Sequence, residues 1–363
     1  MNKKKMIVMG FIIVAVILVV VLATAVFQKQ ILTAMATRII QERFLEQSYK
    51  YEDGLYAGLA GTGNPIADIN RVGPCTVVLA GDHLYLVDAG SGSARNVARM
   101  NFPIGKVEAV LLTHFHSDHI SDLGEVMMQR WTGGSNTTPL DVIGPEGVET
   151  VVEGFNLAYS LDNGYRVAHH GAATCPPSGA GGTAKPFSLS SEEDASVVVI
   201  DDGELKVTAF KVNHAPVSPA VGYRFDYKGR TLVISGDTVP CNSLIKQSQG
   251  ADILVHEALQ KSMIKIIHDQ AGLSPSPSAA KMTEDILGYH SSPEDAAKIA
   301  SEASVKHLVL YHIAPPIAHP SLSNLFLGDA GMYYKGPITI GEDGMLISLP
   351  ANSNAINIRN IMK

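Results

Sequence analysis

The most apolar stretch of the chain is at its N-terminus, where an uncharged run extends from Met6 to Phe27. A helix needs about 20 apolar residues to cross the hydrocarbon core of a bilayer, and this run has that length. A cleavable signal peptide has a shorter apolar stretch of about 7–15 residues, although the small residues Ala23 and Ala25 leave cleavage open. The pattern therefore predicts one N-terminal transmembrane helix, within residues 1–27, that is retained as an anchor.

The rest of the chain alternates short apolar runs with amphipathic helical stretches. Residues 28–54 are predicted to form a juxtamembrane helix, from Ile31 to Leu45, and a linker. One α/β domain is predicted over residues 55–350, followed by a C-terminal tail over residues 351–363. The predicted strands are Cys75–Ala80, His83–Val87, Val107–Leu112, Leu140–Ile143, Val197–Ile200, Leu205–Val212, Ala220–Tyr227, Arg230–Ser235, Ile253–Val255 and His307–Leu310. The predicted helices are Ser121–Gln129, Gly147–Ala158 and Pro293–Ala303. Stretches rich in Pro, Gly and Ser predict surface loops at Thr174–Ser191 and Ser274–Ser278.

Charge and cysteine content narrow the classes of function. The 363 residues carry a formal net charge of −7, whereas nucleic-acid binders usually present a strongly basic face, so nucleic acid is not favoured as a partner. The three cysteines are widely spaced and contain no CxxC pair, so they predict no disulfide framework. Lys3, Lys4 and Lys5 precede the apolar run and favour a domain on the extracytoplasmic side, periplasmic or extracellular. The basic residues that follow the run weaken this asymmetry; they are Lys29, Arg38 and Arg43.

The strongest chemical signal is the segment from Thr113 to His119, which directly follows the apolar run Val107–Leu112. In extended backbone, side chains two residues apart face the same way, so His114 and His116 can meet one ion. Asp118 and His119, on the following turn, can reach a second ion a few ångströms away. Imidazole and carboxylate groups suit Zn²⁺, and they also accommodate Mn²⁺ or Fe²⁺.

Three later polar residues also follow apolar strands, and they can complete a two-metal site. His214 follows Phe210–Val212, Asp237 follows Leu232–Ser235, and His312 follows Leu308–Tyr311. Loops at strand ends commonly carry functional residues in α/β folds, so these residues are expected to converge on the first segment.

The ordered motifs resemble the metallo-β-lactamase superfamily, and within it the branch of ribonuclease Z and arylsulfatase-like hydrolases. The resemblance covers about residues 55–350, and the His114-x-His116-x-Asp118-His119 signature is its most specific part. The other matching segments are Gly61-Thr62-Gly63-Asn64-Pro65, Val87-Asp88-Ala89-Gly90, Ile143-Gly144-Pro145-Glu146-Gly147, Gly222-Tyr223-Arg224, Ser235-Gly236-Asp237-Thr238, His256-Glu257-Ala258 and His290-Ser291-Ser292. The resemblance implies an αββα sandwich.

The resemblance also implies roles for individual residues. His114, His116 and His214 would bind one zinc ion, Asp118, His119 and His312 would bind the other, and Asp237 would bridge them. Two such ions activate a bridging water to hydroxide and stabilise the charge of attacking and leaving oxygens. Asp118 could also orient the nucleophile, and Glu257 and His290 match positions that assist proton transfer. Their alternative role is structural support of the metal ligands.

One departure from the ribonuclease Z pattern concerns substrate binding. Members that process tRNA carry a basic, Gly-rich arm, whereas residues 156–191 contain only two basic residues besides histidines, Arg166 and Lys185. Arg166, His169 and His170 are candidate contacts to an anionic substrate, and packing within a surface loop is the alternative.

The sequence thus predicts a membrane-anchored dinuclear zinc hydrolase acting on a small anionic or ester substrate, such as a sulfate ester, a phosphodiester or a lactone. The alternative enzyme is a ribonuclease Z-type tRNA 3′-processing endonuclease. The non-enzymatic alternative is a membrane-bound metal-binding scaffold, which would be expected to have lost ligands. By analogy with the family, a homodimer is one assembly to test.

Overall fold

The computed structural model describes residues 2–45, 51–272 and 277–362. The chain divides into two compact units, Met1–Lys50 and Tyr51–Lys363. The first unit consists of helix α1 (Lys3–Leu45), in which Lys3–Gln41 is long and apolar enough to cross a membrane by length and composition. The predicted anchor and the predicted juxtamembrane helix therefore form one continuous helix. Residues 46–50 of the predicted linker lie outside the described residues.

The second unit is built on two β-sheets. In the described ranges, fifteen strands form an eight-stranded sheet in the order β15-β14-β1-β2-β3-β4-β5-β6 and a seven-stranded sheet in the order β13-β12-β11-β10-β9-β8-β7. The strands of the first sheet are β1 (Gly54–Gly61), β2 (Cys75–Ala80), β3 (His83–Val87), β4 (Ala109–Leu111), β5 (Leu140–Pro145), β6 (Gly182–Phe187), β14 (Met345–Pro350) and β15 (Asn357–Asn360). Those of the second are β7 (Ser196–Asp201), β8 (Leu205–Lys211), β9 (Val221–Tyr227), β10 (Arg230–Ile234), β11 (Ile253–Leu259), β12 (His307–Ala314) and β13 (Ile338–Ile340).

Helices cover the outer faces of both sheets. Those that follow strands of the first sheet are α2 (Ser93–Arg99), α3 (Ser117–Ile120), α4 (Leu123–Gly134) and α5 (Val148–His170). The second half of the unit contains α6 (Asn242–Gln247), α7 (Lys261–Gly272), α8 (Pro277–Asp285), α9 (Pro293–Glu302), α10 (Ser323–Leu327) and α11 (Ala330–Tyr333). Short 3-10 helices cover Ile104–Lys106, Pro177–Gly179, Ile286–Gly288 and Pro320–Leu322.

Alternating side chains divide the apolar core into layers. Along β1, Leu55 and Leu59 point into the core between the sheets, whereas Tyr56 packs under the helices of the first sheet. A third cluster joins the outer face of the second sheet to α9 and the C-terminal helices, through residues such as Ile299 and Phe326. Since both faces of the central strands are buried, these strands read as continuous apolar runs. The predicted αββα sandwich is confirmed.

Several predicted boundaries differ from the observed ones. The predicted loop Thr174–Ser191 contains strand β6, an edge strand that tolerates Pro186 because an edge strand leaves some amide positions unpaired. Helix α5 continues to His170, well beyond the predicted end at Ala158. The tail predicted at 351–363 includes β15, which pairs with β14. Of the predicted loop Ser274–Ser278, residues 274–276 lie outside the described residues, and α8 begins at Pro277.

Candidate metal centre

The ligand-rich segment begins where the parallel strand β4 ends. The backbone amide of Thr113 donates to Oδ1 of Asp88 at 2.8 Å, which joins this segment to the end of β3. His116 has extended dihedral angles (φ −60°, ψ 147°) and is the N-cap of α3, so Asp118 lies in the first turn of that helix. His114 and His116 therefore precede the helix, and Asp118 and His119 lie in it. This change of backbone explains why the two pairs of side chains belong to two different clusters of donor atoms.

The first set of donors consists of three histidines and one aspartate. Nε2 of His114 lies 3.0 Å from Nδ1 of His116, which is 3.4 Å from Nε2 of His214. Oδ2 of Asp237 lies 3.9 Å from Nε2 of His114 and 4.0 Å from Nε2 of His214. These residues come from three separate parts of the chain and are brought together at the ends of β4, β8 and β10.

The second set contains Asp118, His119 and His312. Oδ2 of Asp118 lies 3.5 Å from Nε2 of His119 and 3.2 Å from Nε2 of His312. The same Oδ2 atom of Asp237 lies 3.4 Å from each of these two histidine nitrogens. Asp237 therefore faces both sets through a single oxygen atom, which is the geometry that a bridging ligand requires.

The two sets fit divalent cations in spacing and chemistry. Zinc–nitrogen and zinc–oxygen bonds of about 2.0–2.1 Å in tetrahedral geometry place neighbouring ligand atoms about 3.3 Å apart, and the observed distances centre on that value. Nε2 of His119 and Oδ1 of Asp237 are also buried, and neither has a hydrogen-bond partner among the described residues. A buried polar atom that lacks a partner is costly, so such atoms at a donor cluster indicate coordination of an ion. All seven predicted ligands are thus brought together.

The protonation states of the first set suit metal binding. Burial lowers the pKa of His114 well below its ordinary value, and the positive charge of His119 lowers it further. Burial is also the main cause that lowers the pKa of His116 and of His214. A neutral imidazole is the form that coordinates a metal, so these three side chains are in the binding form near neutral pH.

The charges of the second set favour a cation at its centre. Burial lowers the pKa of His119, but the carboxylates of Asp237 and Asp88 outweigh burial and raise that pKa well above its ordinary value. Burial raises the pKa of Asp237, yet the neighbouring His312 and His119 hold it well below its usual range. The field at this point stabilises positive charge, which is carried either by a proton on His119 or by a cation.

Residues around the ligands fix the orientation of the rings. Oδ2 of Asp88 lies 2.8 Å from Nδ1 of His119, and the carbonyl of Tyr289 lies 3.0 Å from Nδ1 of His214. In each ring, the hydrogen bond at Nδ1 leaves Nε2 as the nitrogen that faces the other donors. Asp88 (φ 61°) and His312 (φ 49°) also adopt left-handed backbone conformations, which are strained for residues other than glycine and are typical of functional sites.

Glu257 and His290 form a buried pair beside the second set of donors. Oε1 of Glu257 accepts hydrogen bonds from the amides of Ser291 (2.9 Å) and Thr238 (3.2 Å) and lies 3.0 Å from Nδ1 of His290. Burial lowers the pKa of His290, but Glu257 and Asp237 outweigh it and raise the pKa to about 9. With Nδ1 held by Glu257, Nε2 of His290 is the nitrogen that can exchange a proton with a substrate.

Two contributors to the site were given no role from the sequence. Asp88 follows strand β3 in the same way that the metal ligands follow their strands, so its position was a usable signal. Tyr289 precedes His290, and its ring contacts both His214 (centroids 5.3 Å apart) and His290 (4.9 Å). Burial raises the pKa of Tyr289, and the carboxylates of Asp285, Asp237 and Asp118 raise it further.

The three candidate substrate contacts lie on the last turns of α5. Arg166 pairs with Asp162 in the same helix, at 2.6 Å, and His169 and His170 are exposed. In the described part of the chain, none of the three contacts a metal ligand. Their role in binding an anion therefore stays a prediction.

Comparison with known proteins agrees with this geometry. A family model described as "Beta-lactamase superfamily domain" matches residues 83–313, a range that includes all seven donors. The chain is 38% identical over 287 residues to "Ribonuclease Z" of Mycolicibacterium gilvum, covering 78% of this chain and 93% of the relative. It is 37% identical over 287 residues to "Ribonuclease Z" of Mycobacterium bovis, covering 78% of this chain and 95% of that relative.

Solved structures show the same fold at lower identity. The crystal structure of the short form of human tRNase Z superposes with a TM-score of 0.60 at 21% identity, covering 81% of this chain and 99% of that one. A metallo-beta-lactamase fold protein from Bacillus subtilis superposes with a TM-score of 0.57 at 20% identity, covering 82% of this chain and 100% of that one.

The relatives also bear on two expectations from the sequence. They support the ribonuclease Z part of the predicted branch, whereas the arylsulfatase part stays a prediction. Since the relatives at 37–38% identity are named ribonucleases, they count against the expectation that nucleic acid is not a partner. The net charge of −7 does not exclude a nucleic-acid partner, because it reports the whole chain and not the surface around one cleft.

Proposed function

Because this chain belongs to the beta-lactamase superfamily, in the branch of its ribonuclease Z relatives, we propose that it is a metal-dependent phosphodiesterase of the ribonuclease Z type, with RNA as its substrate. The observation that carries the proposal is the position of Asp237, whose Oδ2 atom faces both sets of donors at distances of 3.4–4.0 Å. A carboxylate shared in this way fits two cations side by side, and paired cations suit displacement at phosphorus.

These residues would hold divalent cations, and the chemistry of the donors favours zinc. The cations would supply the Lewis acidity that activates water and neutralises the charge of a phosphodiester. The chain's own residues do the rest. Asp118 orients the attacking water through the carboxylate oxygen that does not face the histidines. His290 donates its proton from Nε2 to the leaving alkoxide as the phosphorus–oxygen bond breaks, and Glu257 holds the ring in position and stabilises its positive charge.

The small-ester interpretation remains a second candidate because two features favour it. The segment from α5 to β6, where the ribonuclease Z pattern predicts a basic arm, has only Arg166 and Lys185 as cations, and both pair with aspartates. Helix α1 is apolar enough to span a membrane, and we propose that it is retained as an anchor. The lysines at positions 3–5 favour an extracytoplasmic domain, where a small phosphodiester, sulfate ester or lactone would be the accessible substrate.

One assay separates the two candidates. The full-length chain, loaded with zinc, is incubated in parallel with a precursor tRNA, bis(p-nitrophenyl) phosphate, p-nitrophenyl sulfate and a set of lactones. We expect cleavage of the precursor tRNA and of the phosphodiester, with both activities lost in Asp237→Ala. Turnover of the sulfate or a lactone without any phosphodiester cleavage would overturn the proposal and favour the second candidate.

Membrane topology gives an independent test of the same choice. A reporter fused to the C-terminus of the full-length chain shows on which side of the membrane the second unit lies. A cytoplasmic position is required for an enzyme that meets precursor RNA. An extracytoplasmic position would contradict the RNA substrate while leaving phosphodiester chemistry intact.

A further inference from the structure

Tyr289 forms one wall of the site between a metal ligand and the histidine that we assign to proton transfer. Its ring is nearly perpendicular to that of His214, at an interplanar angle of 79°, and is tilted by 49° to that of His290. Its carbonyl accepts a hydrogen bond from His214, which fixes the backbone at the same point. The side chain is therefore held from two sides, while the residue remains only partly buried.

The hydroxyl group of Tyr289 is left free by this packing. Among the described residues it has no hydrogen-bond partner, although other tyrosines of the unit donate to a neighbouring oxygen. Those that do so are Tyr56 to Glu52, Tyr85 to Glu108, Tyr223 to Leu112, Tyr227 to Asp53 and Tyr334 to Val305. A phenol that is packed against two site residues but keeps a free donor is available for a ligand.

The position of the Tyr289 ring relative to the donors indicates what its hydroxyl contacts. The ring packs against His214 and His290, and a ring nitrogen of each lies 4.0 Å from Oδ2 of Asp237, so the phenol lies beside the space between the two sets of donors. A phosphodiester that is attacked between the two sets of donors carries its non-bridging oxygens into the same space. A fixed donor near developing negative charge stabilises the transition state without reorganisation, since its ring is already held in place.

We infer that the Tyr289 hydroxyl donates a hydrogen bond to a non-bridging oxygen of the substrate phosphodiester. This inference rests on the proposed function in one respect, the phosphodiester nature of the substrate. Tyr289 is then a substrate-contacting residue with two separable parts. The ring and the carbonyl support His214 and His290, and the hydroxyl binds the anion.

Two substitutions separate these parts. Tyr289→Phe keeps the ring and the backbone carbonyl and removes only the donor, whereas Tyr289→Ala also removes the packing against the two histidines. Tyr333→Phe is the matched control, because Tyr333 is exposed on α11 and its ring is 4.7 Å from the Lys298 ammonium group. Each full-length variant is loaded with zinc, and its metal content and melting temperature are compared with those of the unmodified chain.

The binding readout is isothermal titration with inorganic phosphate, and the kinetic readout is kcat and KM for bis(p-nitrophenyl) phosphate. For Tyr289→Phe we expect unchanged metal content and melting temperature, with phosphate affinity and kcat/KM both lower by about tenfold, the usual effect of losing one hydrogen bond to a charged group. Tyr333→Phe is expected to match the unmodified chain in every readout. Tyr289→Ala is expected to lose metal affinity as well.

The outcomes distinguish this inference from the proposed function. If Tyr289→Phe binds phosphate and turns over the phosphodiester like the unmodified chain, the hydroxyl has no role and the inference is wrong. If the unmodified chain binds no phosphate, the inference is also wrong. If the unmodified chain hydrolyses no phosphodiester but Tyr289→Phe still weakens phosphate binding, the anion contact stands and the proposed function fails.

Discussion

At the scale of single residues, the site depends on carboxylates that contact histidines as much as on the histidines themselves. Asp88 holds Nδ1 of His119, and Glu257 holds Nδ1 of His290. Nε2 of His119 then faces Asp118 and Asp237, and Nε2 of His290 is the ring nitrogen that Glu257 does not hold. In the proposed function, the two carboxylates thus separate two roles for one type of side chain, metal binding by His119 and proton exchange by His290.

Asp88→Ala is expected to weaken metal binding without removing a ligand. Without Asp88, the tautomer and the ring orientation of His119 are no longer fixed. Such changes typically lower metal affinity by about 10–100-fold. Competition with a chelator of known zinc affinity measures the change. Asp141→Ala is the control, because this aspartate is an exposed partner of Lys185 on β5. Equal zinc affinity in Asp88→Ala and the unmodified chain would show that Asp88 does not position His119.

His290→Ala is expected to keep both metals and to slow turnover by about 10²-fold or more, the usual contribution of a positioned proton donor. Metal analysis and single-turnover kinetics on the same preparation test both parts of this expectation. Nδ1 of His290 also lies 4.0 Å from Oδ2 of Asp237, close enough for a role in the second set of donors. Loss of one metal equivalent in His290→Ala would therefore reassign it as a ligand.

The seven candidate ligands could be predicted from the sequence because each is a polar residue close behind an apolar run, although His312 lies within β12 in the structure. Asp88 was noted only as part of the Val87–Gly90 segment and was given no role, since its neighbours on the chain contain no second ligand type. Tyr289 could not be predicted in this way. Its role follows from its distances to His214 and His290, and His214 lies 75 residues earlier in the chain.

At the scale of elements, the ends of the strands determine where ligands can lie. Gly236 joins β10 to Asp237 in a left-handed conformation (φ 62°), and a Cβ atom there would lie 2.6 Å from the carbonyl oxygen of Val221. Only glycine fits this position on both counts. The tight turn is what brings Asp237 back toward both sets of donors.

Gly236→Ala is expected to destabilise the fold and to lower metal content, and Gly250→Ala is its matched control. Gly250 has nearly the same backbone angle (φ 64°), but a Cβ atom there has nothing within 4 Å. Both substitutions place an alanine in a left-handed backbone conformation, which costs about 1–2 kcal/mol, and Gly236→Ala adds a steric clash with the backbone. Chemical denaturation in the presence of chelator compares the two. Equal losses in free energy of unfolding would show that the close contact has no importance.

Elements differed in how well their sequences predicted them. The buried strands β10 and β12 were predictable from continuous apolar runs rich in branched residues. Strand β1, with the sequence Gly-Leu-Tyr-Ala-Gly-Leu-Ala-Gly, was not, because glycine and alanine are weak strand formers. Strand β6 was hidden by its Pro and Gly residues. Such segments form strands because of the pairing partners that the rest of the fold supplies.

At the scale of the whole molecule, the C-terminal segment is held to the sandwich by a buried cation. Arg230 is 2% exposed, contacts Asp252 at 3.1 Å and donates to the carbonyls of Pro350 and Ala355. These contacts explain why residues predicted as a tail are ordered. A long-range contact of this kind has no signature in the sequence.

Arg230→Leu is expected to lower the free energy of unfolding by about 1–3 kcal/mol, because the carbonyls of Pro350 and Ala355 lose their donor, while Asp252 keeps Lys306 at 2.8 Å. Arg95→Leu is the control, since Arg95 is exposed and its contact with Glu125 is 3.9 Å long. Exposed pairs of this type contribute about 0–1 kcal/mol. Urea denaturation of both variants tests the comparison. A loss in Arg230→Leu no greater than that of the control would contradict a structural role for this cluster.

The central claim is that two donor sets sharing Asp237 hold two metal ions, and metal content tests it most directly. The full-length chain and Asp237→Ala are purified under identical conditions, and zinc is counted per chain by mass spectrometry. The structure predicts two equivalents in the unmodified chain and fewer than one in the variant, because both sets lose a ligand. Zero or one equivalent in the unmodified chain, or two in Asp237→Ala, would contradict the dinuclear site.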